Sequence, residues 1–213
     1  MSGLHNLVRS KTSRNVVAPV VDAIYGRMFD EWARAQAPWM AEAYSQKGTQ
    51  EDHRKGMSTE RILEYFDSCW YTRFHAPPGV DLTSDDTAWC SAFVNWCLLR
   101  VGIRGTGSTW SLSWLKWDGG VHLGTDIARA PLGSLVVLDG GSRGPSKGHV
   151  AFLWSMEGGK PQYLGGNQGN GTLHNRKSDQ VSICHYPNKV RQCIWPRRTT
   201  GPVPRAWQQG RPA

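Results

Sequence analysis

A cysteine, a histidine and two side-chain amides are spaced along this chain so that they can share one nucleophilic reaction. Cys90 lies in Asp85-Asp86-Thr87-Ala88-Trp89-Cys90-Ser91-Ala92-Phe93-Val94-Asn95-Trp96, at the start of an apolar helical pattern. A thiol in a first helical turn sits near the positive end of the macrodipole and near unpaired backbone N–H groups, which favour the thiolate. His149 follows a Gly-rich turn and opens the apolar run Val150-Ala151-Phe152-Leu153-Trp154, so it can project at a sheet edge as the base. Asn167 ends Tyr163-Leu164-Gly165-Gly166-Asn167-Gln168 and is read as the residue that orients the imidazole. Strand alternation puts Asn167 on the face of Tyr163 and Gly165 and turns Gln168 to the other side, so only one can meet His149, and Gln168 is the fallback. Thiol, base and orienting group together make a cysteine-hydrolase constellation. The oxyanion donors are assigned to the Cys90 backbone N–H and an upstream group, with Asp86 and Trp89 as candidates for oxyanion or substrate contact.

Other residues of the same types have plainer readings. Free cysteine often behaves as a small buried hydrophobe, and Cys97, seven residues after Cys90, is read as structural. Five cysteines (Cys69, Cys90, Cys97, Cys184, Cys193) without CxxC spacing argue against a disulfide framework and a zinc ribbon. A Cys184–Cys193 bridge across a hairpin stays open, as does a metal cluster of these with His185, although no ligand-pair spacing supports the metal. Asp85 and Asp86 are read as capping the cysteine helix, and Trp110, Trp114 and Trp117 as mainly a core stripe.

The elements that must position these groups fall in two halves. Pro38 opens one helix, which ends at Gly48, and Ser58 caps another through Ile62, Leu63, Tyr65 and Phe66. The cysteine helix is expected from about Thr87 to Val101, with Trp89, Phe93 and Trp96 facing the core. A short helix is expected over Thr109–Trp117. Strands are expected at 134–138, 149–154, 162–164, 181–185 and 190–195, as an antiparallel meander. Helices first and sheet second make the class α+β. A further helical pattern runs from Asp22 to Arg34, residues 102–130 are read as a candidate cover for the site, and the Pro/Arg-rich tail is expected to be disordered.

The 25 Lys+Arg against 17 Asp+Glu give a formal charge of +8, which favours polyanionic partners: nucleic acid, anionic lipid or an acidic wall polymer. The basic residues are scattered, so no nucleic-acid arm is indicated. The basic start is followed by Pro19 and Asp22 with no small-residue cleavage site, so no signal peptide is read. No apolar run reaches the roughly 18 residues of a membrane span, so no membrane insertion is expected.

Pro38-Trp39-Met40, Ala88 to Trp96, Gly105-Thr106-Gly107-Ser108, Gly148-His149-Val150-Ala151-Phe152 and Gly165-Gly166-Asn167-Gln168, in this order, resemble the NlpC and CHAP superfamily of papain-like cysteine hydrolases of bacterial cell walls. The resemblance implies a papain-like α+β fold, with helices packed on an antiparallel sheet. It implies Cys90 as nucleophile, His149 as base, Asn167 as third member and no metal or organic cofactor. The acidic residue common in CHAP members two places before the asparagine is replaced by Gly165. The implied organisation is an extension over 1–37, a catalytic domain over 38–196 and a tail over 197–213. The implied substrate is the peptidoglycan stem peptide, cut at the γ-D-glutamyl-diaminopimelate bond or at the muramoyl-L-alanine amide.

Because the wall lies outside the cytoplasm, two deliveries are considered. One is an antibacterial effector, injected into a target periplasm by a system such as type VI secretion, with a secretion-system partner and a cognate immunity protein. The other is a phage-type endolysin. A non-catalytic wall-binding module and a transpeptidase or deamidase are the remaining alternatives.

Overall fold

The computed structural model describes residues 36–169 and 179–197. Four helices precede the main part of the sheet: α1 (Pro38–Ser45), α2 (Glu60–Asp67), α3 (Trp70–His75) and α4 (Cys90–Arg100). Six strands follow: β1 (Gly120–Gly124), β2 (Leu135–Asp139), β3 (Gly148–Glu157), β4 (Lys160–Gln168), β5 (Gln180–Cys184) and β6 (Val190–Pro196). All pairings are antiparallel, in the spatial order β1-β6-β2-β3-β4-β5. The class is α+β, with helices packed on a six-stranded antiparallel sheet, as expected. The helical pattern at residues 22–34 and the tail beyond residue 197 lie outside the described residues.

The apolar runs supply two buried sheet faces. Along β2, Leu135 and Val137 enter one core while Val136 and Leu138 enter the other. The first core holds α4, eight of whose eleven residues are buried. A helix this apolar needs cover on several sides, and it touches α1, α2, β3 and β4. Tyr65 of α2 stands 5.3–5.8 Å, centroid to centroid, from Trp89, Phe93 and Trp96, and Phe93 meets Phe152 edge-on at 6.5 Å. Gly166 lets α4 settle onto β4, because a Cβ there would strike the Trp89 ring and lie 2.8 Å from the Phe93 Cβ. The second face holds Ala151, Leu153, Tyr163, Cys184, Tyr186 and Cys193.

Several expectations are corrected. Only β2 to β5 form a meander: β6 returns to the far side of β2, with the short, exposed edge strand β1 beside it. Three strands therefore separate Cys184 on β5 from Cys193 on β6, so no hairpin can bridge them, and both thiols are free. α4 starts at Cys90 rather than near Thr87, which leaves Asp85 and Asp86 outside its first turn. Asp85 instead accepts from the backbone N–H groups of Asp52 (2.9 Å) and Thr59 (2.7 Å), serving the start of α2. Ser58, the expected cap, accepts from the Asp85 N–H at 3.3 Å.

The tryptophan segment is a 3₁₀ helix, Ser111–Lys116. With three residues per turn, Trp114 and Trp117 share a face and are buried, whereas Trp110 falls out of line and is 56% exposed. Residues 103–117 supply Ile103, Leu112, Trp114 and Trp117 to the first core, so this stretch is a wall of the domain rather than a detachable cover. Among the described residues no helix is long and apolar enough to cross a membrane.

Candidate active site

Cys90 is the first residue of α4 and is 6% exposed. Trp89 before it has φ −116° and ψ 11°, outside the helix, and has no capping side chain of its own. The Trp89 N–H donates to Asn167 Oδ1 at 3.3 Å, so a residue of β4 takes over part of the capping task.

Behind Cys90, Ser91 Oγ donates to the Ser108 carbonyl (2.6 Å) and accepts from Trp114 Nε1 (2.8 Å). Asn95 Oδ1 accepts from Gly107 N at 2.8 Å. Gly105 must be glycine for this to close, since a Cβ would run into the Asn95 amide. The loop 105–108 thus locks the buried side of the helix start.

His149 pairs with Leu138 across β2–β3 and is 3% exposed. Its Nε2 lies 3.0 Å from Gln168 Oε1. Gln168 is fully buried, and its Nε2 donates to the Ser182 carbonyl at 2.7 Å and the Tyr163 carbonyl at 3.3 Å. Two carbonyl acceptors fix which end of the amide is nitrogen, so an oxygen faces the histidine. An amide oxygen only accepts. His149 Nε2 therefore carries a proton, and Nδ1 is the nitrogen that can act as base in the neutral ring.

Tyr186 packs edge-on against the His149 ring at 5.3 Å; burial pushes its pKa up, and Cys184, Asp179 and, least, Cys90 add to the shift. A second thread joins the two ends of the site. Asn167 reaches Trp89, next to Cys90, while its neighbour Gln168 reaches His149.

The orienting contact expected of Asn167 is therefore made by Gln168. The reason is a bulge. From Gly165↔Ser182 to Gln168↔Gln180, β4 advances three residues while β5 advances two, so one extra residue inverts the alternation. Asn167 absorbs it at φ 55°, in the left-handed region that asparagine tolerates better than most residues. Gln168 then returns to the Tyr163 and Gly165 face. The missing side chain of Gly165 makes room for it: a Cβ there would lie 2.7 Å from Gln168 Oε1 and 2.8 Å from the Ala151 Cβ.

Asn167 Nδ2 donates to Glu51 Oε1 (3.0 Å) and Asp179 Oδ2 (3.3 Å). Glu51 Oε1 also accepts from Trp89 Nε1 at 2.8 Å. Burial is the main cause that raises the Glu51 pKa to about 7; the Trp89 bond opposes it, and Asp179, Asp85 and Asp86 add to it. Sequence reasoning missed Glu51, because no spacing signal links it to Trp89, 38 residues away. The two upstream candidates are placed differently. Trp89 is fully buried with its indole on Glu51, and its backbone N–H is engaged by Asn167. Asp86 is exposed on the turn, within 3.4 Å of Ser84 Oγ.

Burial pushes Cys69 up to about 12 and Cys193 up to about 11, and raises Cys97 and Cys184 as well. Among the described residues no group of three or more His, Cys, Asp or Glu side chains is arranged to hold a metal ion.

Residues 82–167 match the family model of the CHAP domain. No curated protein and no solved structure matches the chain. The chain thus carries a CHAP domain, consistent with the NlpC/CHAP superfamily, over a stretch that contains Cys90 and His149 and stops one residue short of Gln168. CHAP domains are typically cysteine- and histidine-dependent amidases or peptidases of peptidoglycan.

Proposed function

We propose that this CHAP-bearing chain is a cysteine peptidase that cleaves peptidoglycan stem peptides, with residues 38–196 as its catalytic domain. The observation that carries the reading is the His149–Gln168 bond, in which a fully satisfied buried amide holds the imidazole with Nδ1 as its basic nitrogen. In the reaction His149 Nδ1 takes the proton of Cys90, and the thiolate attacks the scissile amide carbonyl. Backbone N–H groups of the first turn of α4 stabilise the tetrahedral oxyanion. The imidazolium protonates the departing amine, leaving a thioester on Cys90. Water, deprotonated by His149, attacks that thioester, and collapse releases the new carboxylate and restores the thiol. Gln168 keeps the ring aligned throughout.

The bond assigned is γ-D-glutamyl-diaminopimelate; the muramoyl-L-alanine amide is the rival. The biological role assigned is an antibacterial effector acting in a target cell's periplasm, held off in the producer by an immunity protein. What supports it is the net positive charge of the chain, which suits an anionic polymer. Mass spectrometry of purified peptidoglycan after digestion decides the bond. New amine termini on diaminopimelate support the endopeptidase, whereas free stem peptides beginning with L-alanine mark an amidase. No soluble product from wild type, or the same products from Cys90→Ala, would sink the hydrolase reading.

A further inference from the structure

Glu51 precedes the CHAP match, yet its carboxylate is wired to the residue before the nucleophile. The backbone around it is pinned to β5 at several points. Gly48 N donates to the Val181 carbonyl (2.9 Å), Val181 N to the Thr49 carbonyl (2.7 Å) and Glu51 N to the Asp179 carbonyl (3.1 Å). The stretch 48–51 therefore lies along the sheet edge as an extra, short pairing, and Glu51 points inward from a fixed base.

A single oxygen, Oε1, then accepts from both the Trp89 indole and the Asn167 amide. Asn167 closes a triangle by accepting from the Trp89 backbone N–H. Trp89 is thus held at its ring and at its main chain, one residue ahead of Cys90. The same triangle holds Asn167 in its left-handed conformation, and that conformation is what returns Gln168 to His149.

We propose that Glu51 is a positioning residue for Cys90 and His149, clamping the head of α4 to the β4 bulge so that thiol and imidazole keep their relative placement. This proposal rests on the hydrolase reading for its consequence in catalysis, but its geometry does not. Glu51 is 9% exposed, and what the clamp asks of it is one fixed acceptor oxygen, which a glutamine would also supply.

The test pairs turnover with a readout that needs no substrate: the rate at which iodoacetamide alkylates Cys90, followed over pH by peptide mass spectrometry. Glu51→Ala is expected to lower kcat by about tenfold or more, the scale of losing hydrogen bonds to a charged acceptor, with KM within about twofold. It should also slow Cys90 alkylation and move its pH profile. Glu51→Gln keeps the Oε1 acceptor and should restore both.

Unchanged alkylation and kcat in Glu51→Ala would overturn the proposal, as would a Glu51→Gln as impaired as the alanine variant. If wild type alkylates normally and Glu51→Ala slows it, yet neither digests peptidoglycan, the positioning role stands and the hydrolase reading falls. Should Glu51→Ala fail to fold, Trp89→Phe carries the test, since it keeps an aromatic side chain and removes the indole donor. A slowed Cys90 in that variant supports the clamp, and an unchanged rate overturns it.

Discussion

Asn167 and Gln168 are adjacent on β4, yet they belong to polar clusters of opposite character. The Gln168 cluster, comprising His149, Ser182 and the Tyr163 carbonyl, is centred on a neutral amide with both ends engaged. The Asn167 cluster, comprising Trp89, Glu51 and Asp179, is anionic and is centred on a carboxyl whose pKa is raised to about 7. An amide carries no charge, so Gln168 sets the direction of the imidazole without adding a charge beside it. The anionic cluster holds the nucleophile's helix at a cost that varies with pH. The division lets one bulge serve both ends of the site: a neutral amide directs the base, and a titratable carboxyl braces the head of the nucleophile's helix.

The sharpest way to break this comparison is to remove its reacting partners. Cys90→Ala and His149→Ala are each expected to cost about 10³-fold or more in kcat on peptidoglycan, whereas Cys97→Ala, on the same helix, should leave kcat near wild type. Measured turnover of the three variants separates a reaction at the helix head from a general loss of fold.

Next come the two amides. Gln168→Ala is expected to lower kcat by roughly 5- to 150-fold, the range for losing a buried hydrogen bond of about 1–3 kcal/mol. It should also shift the pH–rate profile, because the imidazole loses its tautomer partner. Equal loss in Asn167→Ala with no loss in Gln168→Ala would return the orienting role to Asn167.

Packing beneath both clusters gives the next effect. Gly166→Ala forces a methyl against Trp89 and Phe93 and should destabilise by about 1–3 kcal/mol in urea unfolding.

The smallest effect concerns pH. A carboxyl whose pKa is raised on folding gives stability that is complete below its ordinary value of 4.5 and is lost as pH rises through about 7. The wild-type Tm should therefore fall relative to that of Glu51→Gln between those pH values, with the gap constant above them. A gap that does not change with pH would mean that Glu51 does not titrate in this window.

Much of this arrangement was legible from residues. An apolar helix beginning at a cysteine, apolar runs separated by glycine turns and a histidine at the head of one run sufficed for the α+β class and for five of the six strands. β1 was missed because Gly120–Gly124 is short, exposed and bracketed by glycines, so its pairing with β6 comes from tertiary context. The exchange of Asn167 for Gln168 was missed because alternation assumes an unbroken register. The glycine pair at 165–166 was the available sign, since bare residues inside a strand often mark a bulge. Glu51, Asp85 and the return of β6 depend on contacts between distant segments, and local periodicity carries no trace of them.

The central claim is that Cys90 becomes the acyl carrier. Acid quenching of the full chain during turnover of a soluble stem peptide, followed by intact and peptide mass spectrometry, tests it most directly. The account predicts a transient mass increase equal to the acyl part of the substrate, mapped to the Cys90 peptide and lost in Cys90→Ala. Continued hydrolysis with no adduct at any quench time, and with Cys90→Ala equally active, would contradict it.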